Sequence, residues 1–222
     1  MRTADLDLGA IESALADLVH PAGPQLRSGV RRIAEVDEQR LFDVELQTMA
    51  RFAPSRAREF AAGRLLLREL LGAAVAIPVA ANRAPVLPAG FVGSLAHDDQ
   101  FVVAVVSDVC QVGALGIDIE PMDRLSPEVS RLVLRPDETI DAHLAFTLKE
   151  AAYKAWSSLG GAPLEHHDIR VHIDDGSFTA HMVTGQARFT GLYRAVAGRW
   201  IAQVVHVHSD VQQPTVGAVR DR

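Results

Sequence analysis

The chain has 222 residues, is 48% hydrophobic and 23% charged, and carries a net charge of −6. That length and balance suffice for one large domain or two closely packed halves with an ample core, and the charge gives no global attraction to nucleic acid or an anionic membrane, although local arginines can still hold a small anion. The single cysteine, Cys110, excludes an internal disulfide, which suits a reducing compartment.

Met1 to Leu18 is amphipathic and acidic and lacks a signal-peptide core. Within it, Ile11 to Val19 suits a short helix that Pro21-Ala22-Gly23-Pro24 ends. Ser55 to Leu71 is a stronger helix, with Phe60, Leu67, Leu70 and Leu71 as its buried stripe and Gly72 as its stop. Arg56, Arg58, Arg64 and Arg68 decorate the same segment. The longest apolar stretch, Leu70 to Ala81, is broken by Gly72 and Pro78 and falls short of the roughly 20 residues of a membrane helix. A soluble cytoplasmic protein with no membrane span is expected.

Ala81 to Gly93 is rich in Pro and Gly and reads as an ordered loop. Phe101 to Val106 and Ala114 to Glu120 are β-prone runs, and the intervening Gln111-Val112-Gly113 suggests that they form a hairpin. Pro127 to Leu134 suits a short helix and Pro136 to Leu159 a long one, ended by Gly160-Gly161. Ile169 to Ile173 and Phe178 to Val183 flank the turn signal Asp174-Asp175-Gly176, and Tyr193 to Val196 and Trp200 to Val207 flank Ala197-Gly198. Gln212 onward reads as a frayed tail. The order predicts an α+β fold of two halves, each with helices and a small antiparallel sheet, rather than a doubly wound parallel sheet. The boundary falls near Pro121 to Pro127, giving an N-terminal half of residues 1–122 and a C-terminal half of residues 123–222.

Two short motifs carry the chemistry. Gly116-Ile117-Asp118-Ile119-Glu120 places two carboxylates on one face of a strand, where they repel unless a cation relieves them. Oxygen ligands suit Mg²⁺; the plain alternative is a strand edge whose acids face water. On the long helix, Glu150 and Lys154 lie four residues apart on one face, beside an apolar stripe of Leu144, Leu148, Ala151, Ala155 and Leu159. The plain alternative there is a solvent-exposed ion pair, with Lys149 a surface residue. The Pro85-to-His97 segment offers glycines for close backbone approach, and His97 as a phosphate donor. Arg58, Arg64 and Arg83 are candidate phosphate contacts, or else solvated surface. The chain has no P-loop and no serine-hydrolase elbow. His166, His167, His172, His181, His206 and His208 match no zinc spacing and read as ordinary strand and loop residues.

Together these motifs resemble the 4′-phosphopantetheinyl transferase family, of the type that activates enterobactin and surfactin synthetases. The resemblance runs from about Arg56 to Trp200 through Arg58-Glu59-Phe60 with Gly63-Arg64, Pro85 to Gly90, Gly93-Ser94-x-x-His97, the intact Gly-Ile-Asp-Ile-Glu, and Lys149-Glu150-x-x-Tyr153-Lys154. Leu87, Ala96 and Ala151 depart from the family's usual Trp, Ser or Thr, and Ser. The resemblance implies two α+β halves in a pseudo-twofold arrangement with the active site at their junction. It implies Mg²⁺-dependent transfer of the phosphopantetheine arm of coenzyme A to a serine of an apo acyl or peptidyl carrier protein of a biosynthetic synthase, releasing adenosine 3′,5′-bisphosphate. Asp118, Glu120 and Glu150 would hold Mg²⁺. Ser94, His97 and Arg58 or Arg64 would contact coenzyme A, with Arg83 at the nucleotide. Glu150 or Glu120 would take the serine proton, Glu138 being a lesser candidate, and Lys154 would serve the leaving phosphate. A monomer is expected, in siderophore or secondary-metabolite synthesis. The competing readings are a catalytically degenerate relative that binds coenzyme A or a carrier protein, and a different Mg²⁺-dependent phosphotransferase.

Overall fold

The computed structural model describes residues 3–18, 23–183 and 187–207. The chain runs α1 (Thr3–Asp17), β1 (Arg27–Arg32), α2 (Asp43–Met49), α3 (Pro54–Leu71), β2 (Phe91–His97), β3 (Phe101–Asp108), β4 (Val112–Pro121), α4 (Pro127–Val133), α5 (Ala142–Ser158), β5 (Ile169–Asp174), β6 (Ser177–Met182), β7 (Arg188–Val196) and β8 (Arg199–Val207), with 3-10 turns at Glu38–Arg40 and His166–Asp168. Local signals set the helix ends. Pro54 opens α3, and Gly72 closes it at φ 65°, a left-handed position that costs glycine little. The Ser126 hydroxyl accepts the Val129 N–H to cap α4, and the Asp141 carboxylate accepts two backbone N–H groups to cap α5.

The fold is α+β. Strands β1-β3-β2 form one antiparallel sheet and β4-β8-β7-β6-β5 a second. α3 lies on the outer face of the first through Leu66, Leu67, Val102 and Ala104, and α5 on the second through Leu148, Ala152, Ala202 and Val204. Between the sheets lies a shared apolar layer built from Phe101, Val103, Val105, Leu115, Ile117, Ile119 and Ile201, closed by Ile11 and Leu15 of α1. Among the described residues no helix is long and apolar enough to cross a membrane.

The structure corrects several expectations. β3 and β4 do not form a hairpin: β3 pairs with β1 and β2, whereas β4 pairs with β8. The reason lies in β3 itself, whose residues Phe101 to Ser107 are all buried and which needs a strand on each side and a layer on each face. β4 therefore crosses from the chain's first half into the second sheet, although it precedes residue 123. Phe91–His97 is a strand rather than loop, β1 and α2 are additional elements, and α1 begins at Thr3. The long helix begins at Ala142, not near Pro136, because Asp141 supplies its cap. Leu159 lies beyond that helix and is 47% exposed, outside the apolar stripe. The expected helix end at Val19, the stop at Pro21-Ala22 and the tail from Gln212 lie outside the described residues.

One contact governs how closely α5 approaches its sheet. A Cβ on Gly116 would stand 1.8 Å from the Ala151 carbonyl oxygen, so the helix backbone rests directly on the β4 backbone. Gly116→Ala must push helix and strand apart, and should lower stability by about 3 kcal/mol, the upper end of ordinary overpacking costs. A shift of the urea midpoint without a change in slope checks this.

Candidate active site

β4 alternates as its sequence requires. Ile117 and Ile119 enter the inter-sheet layer, while Gly116, Asp118 and Glu120 face α5. From α5, the Lys154 ammonium reaches down to the strand, donating to Asp118 Oδ1 at 2.6 Å and to the Ile117 carbonyl at 3.0 Å. The second oxygen of Asp118, Oδ2, is buried and has no hydrogen-bond partner. Burial pushes the Asp118 carboxyl up to about 7; Lys154 opposes the shift, and the nearby charges of Glu120 and Glu150 add to it. The three acids predicted from sequence are therefore brought into one electrostatic neighbourhood.

Each of the other two carboxylates faces an imidazole. His143 Nε2 lies 3.5 Å from Glu120 Oε2, and His143 Nδ1 donates to the Asp123 carbonyl at 2.5 Å. Burial raises the Glu120 carboxyl despite His143 and Lys154. His166 Nε2 donates to Glu150 Oε1 at 3.1 Å. Burial acts to raise Glu150 as well, but His166 and Lys154 outweigh it and hold this carboxyl below its usual value. Among the described residues no three His, Cys, Asp or Glu side chains already stand close enough to grip a metal ion. The fit to a cation rests instead on an all-carboxylate donor set and on the buried Asp118 Oδ2, which has no hydrogen-bond partner.

The first sheet supplies the opposite wall. Ser94 on β2 is buried, and its hydroxyl oxygen accepts the Ile117 N–H at 3.1 Å, joining β2 to β4. His97, at the end of β2, donates from Nδ1 to the Asp98 carbonyl, and its Nε2 meets Arg56 and, at 3.3 Å, Glu59. Burial lowers the His97 pKa; Arg56 and Lys154 lower it further against the pull of Glu59. A neutral ring with its proton on Nδ1 leaves Nε2 free to accept from Arg56. Arg58 is exposed on α3, and Arg83 is exposed in a left-handed turn at φ 68°. Ala96 is packed in the inter-sheet layer, and Leu87 packs beneath Gly93.

Three residues differ from their sequence readings. Arg64 is not solvated: it is 4% exposed, its Nε donates to the Ile77 carbonyl at 2.8 Å, and its guanidinium lies over the Phe60 ring. Burial, with Arg56 and Arg68 nearby, lowers its pKa to about 10. Lys149 is not a surface residue: it is fully buried and donates to Glu138 Oε2 at 2.6 Å and to the Val133 carbonyl at 2.8 Å. Glu138 is thus committed to Lys149. His166 is not an ordinary loop residue, because it holds Glu150. Neither His143 nor His166 belongs to a spacing motif. His143 lies three residues before Phe146 and four before Thr147, about one turn of α5, and that placement is the sole sequence signal for it.

Comparison with known proteins agrees with this architecture. Residues 44–107 match the 4′-phosphopantetheinyl transferase N-terminal domain and residues 114–205 the 4′-phosphopantetheinyl transferase superfamily. The chain is 33% identical over 186 residues to the 4′-phosphopantetheinyl transferase Svp of Streptomyces mobaraensis, covering 73% of this chain and 74% of that one. It is 35% identical over 182 residues to Npt of Nocardia iowensis, covering 71% and 82%, and 30% identical over 134 residues to PptT of Mycobacterium tuberculosis, covering 52% and 59%; both are likewise 4′-phosphopantetheinyl transferases. The chain belongs to the 4′-phosphopantetheinyl transferase superfamily and is an enzyme of that class.

The Asp118 carboxyl titrates near 7 in the fold against 3.8 for a free aspartate. Between those values the folded state keeps a proton that the unfolded state has released, so stability falls as pH rises through this window and the deficit is complete above it. Asp118→Asn removes the dependence. Its melting temperature relative to the native protein should climb from about pH 4 to about pH 7 and then level off, in calorimetry without divalent cations.

Proposed function

We propose that the protein transfers the 4′-phosphopantetheine arm of coenzyme A to a serine of an apo acyl or peptidyl carrier domain, with Mg²⁺, and releases adenosine 3′,5′-bisphosphate. The observation that carries this reading is the gathering of Asp118, Glu120, Glu150 and Lys154 where α5 meets β4, with one Asp118 oxygen buried and unpartnered, in a chain of this superfamily. Asp118, Glu120 and Glu150 would hold the cation, an all-oxygen set that suits Mg²⁺. Bound there, Mg²⁺ offsets phosphate charge and favours in-line displacement.

The rest falls to the chain's own groups. The serine oxygen bonds to the phosphorus that bears the pantetheine arm, and the bridging P–O bond breaks with its electrons leaving on adenosine bisphosphate. Glu150 or Glu120 accepts the serine proton, directly or through water. Glu150, held low, is charged across the neutral range; Glu120, held higher, is the stronger base. Lys154 spends two of its three N–H donors on Asp118 and the Ile117 carbonyl, which leaves one for a phosphate oxygen. Arg56, which meets His97, and the exposed Arg58 and Arg83 would take the phosphates and nucleotide of coenzyme A. His97 joins them by taking up a proton, which an arriving phosphate favours. Arg64 and Ser94, both buried, support this wall from within. All these groups come from one chain, in keeping with a monomer, and the single cysteine suits a cytoplasmic enzyme.

Mass spectrometry of an apo carrier incubated with the protein, coenzyme A and Mg²⁺ should show one added phosphopantetheine, absent with chelator and restored by Mg²⁺. Asp118→Ala should lower kcat/KM by about 100-fold or more, on the order of losing one key electrostatic contact in a transition state. Coenzyme A binding without transfer to several unrelated carriers would point to a narrow carrier partner or to a binding-only relative.

A further inference from the structure

We propose that His166 is a positioning residue for Glu150, and that the buried Lys149–Glu138 ion pair keeps His166 in place. This inference rests on the placement of Glu150 in the transfer site described above.

The imidazole is located by packing as well as by its hydrogen bond. Phe146 and Glu150 are one turn apart on α5, and the His166 ring lies over both: 5.1 Å between its centroid and that of Phe146, and 3.1 Å from Nε2 to Glu150 Oε1. The donor therefore comes from outside the helix and selects one orientation of a long, rotatable side chain. Both residues are about one-quarter exposed, so the contact sits at the mouth of the site.

The turn that carries His166 is itself held on both sides. Arg135 donates to the His167 carbonyl, and His167 Nε2 donates to the Arg131 carbonyl at 3.0 Å. The Val183 N–H donates to the Asp168 carbonyl at 2.7 Å. Glu138 joins these anchors to α5. Its Oε1 accepts the Val171 N–H at 3.0 Å, just past the turn, and its Oε2 accepts the Arg135 N–H at 3.0 Å and the Lys149 ammonium at 2.6 Å. Lys149 immediately precedes Glu150. The contacts thus form a closed circuit that leaves α5 at Lys149, passes through Glu138 and the His166–Asp168 turn, and returns to α5 at Glu150. A buried ion pair is weak evidence for stability but a good device for fixing geometry. Here it sets the distance between the turn and the helix, and so the reach of His166.

The test uses the full chain. His166→Phe keeps the ring against Phe146 and removes the donor, whereas His166→Gln restores an N–H. His166→Phe should lower kcat by about 10- to 100-fold, the range for partners that orient metal ligands. The KM for the carrier and the melting temperature should stay near native values, and His166→Gln should recover most of the loss. Calorimetry should show weaker Mg²⁺-dependent binding of coenzyme A in His166→Phe. In a Glu150→Gln background, His166→Phe should have no further effect, since both changes remove one interaction. Lys149→Met should lower kcat in the native background but not in His166→Phe. Native kcat in His166→Phe with an impaired Glu150→Gln would overturn the inference alone, as would losses that multiply in the double variant. Native kcat in Glu150→Gln would overturn the site reading and this inference with it.

Discussion

The closeness of α5 to β4 is the constraint on which the site depends, and Gly116 sets it. With a bare Cα on the strand, the Ala151 carbonyl can lie against the sheet. The residues one position before and three after Ala151, Glu150 and Lys154, are then brought over the Asp118 face of the same strand. At any larger spacing the Lys154 ammonium could not reach both the Asp118 carboxylate and the Ile117 carbonyl. The glycine of the acidic motif thus serves the chemistry by having no side chain, while the isoleucines serve it by anchoring the strand's other face in the inter-sheet layer.

Charge is distributed around this contact in an uneven way. Glu150 is stabilised as an anion by His166 and Lys154, Glu120 is only partly compensated by His143, and Asp118 bears the largest mismatch because it is the most deeply buried of the three. Lys154 is shared between holding Asp118 and shaping the field at His97 on the far wall. The two walls of the cleft therefore communicate electrostatically although they belong to different sheets, and Ser94 adds a direct hydrogen bond between them.

Much of this was legible in the sequence. Alternation in Gly116 to Glu120 and the four-residue spacing of Glu150 and Lys154 fix faces, and faces survive into the fold. Helix α3 was readable to within a residue because Pro54 and Gly72 mark its ends. Pairing was not readable. Nothing local to Ala114–Glu120 says that its partner is Arg199–Val207 rather than the neighbouring Phe101 strand, since strand partners are chosen by the burial of whole faces. The fates of Lys149 and Arg64 were hidden for a related reason: a charged residue on a helix reads as solvated until its acceptors, Glu138, the Val133 carbonyl and the Ile77 carbonyl, are known to lie across from it. His166 was hidden because its function comes from a turn that follows α5, with no periodic relation to the helix it serves.

The pairing of β4 with β8 also fixes the order in which the enzyme can be completed. Nearly ninety positions separate Ile117 from its partner Gln203, a wider span than the other strand pairings of the described residues bridge, and such closure is slow compared with forming the hairpins within it. During synthesis the first sheet and α3 can assemble while Asp118 still sits on a strand without a neighbour in its own sheet. Only when β8 has emerged and slipped between β4 and β7 does that strand acquire its place. A nascent chain therefore leaves its acidic motif without a strand neighbour in its own sheet until β8 has been made, so that a product truncated before β8 carries the signature residues but not the site.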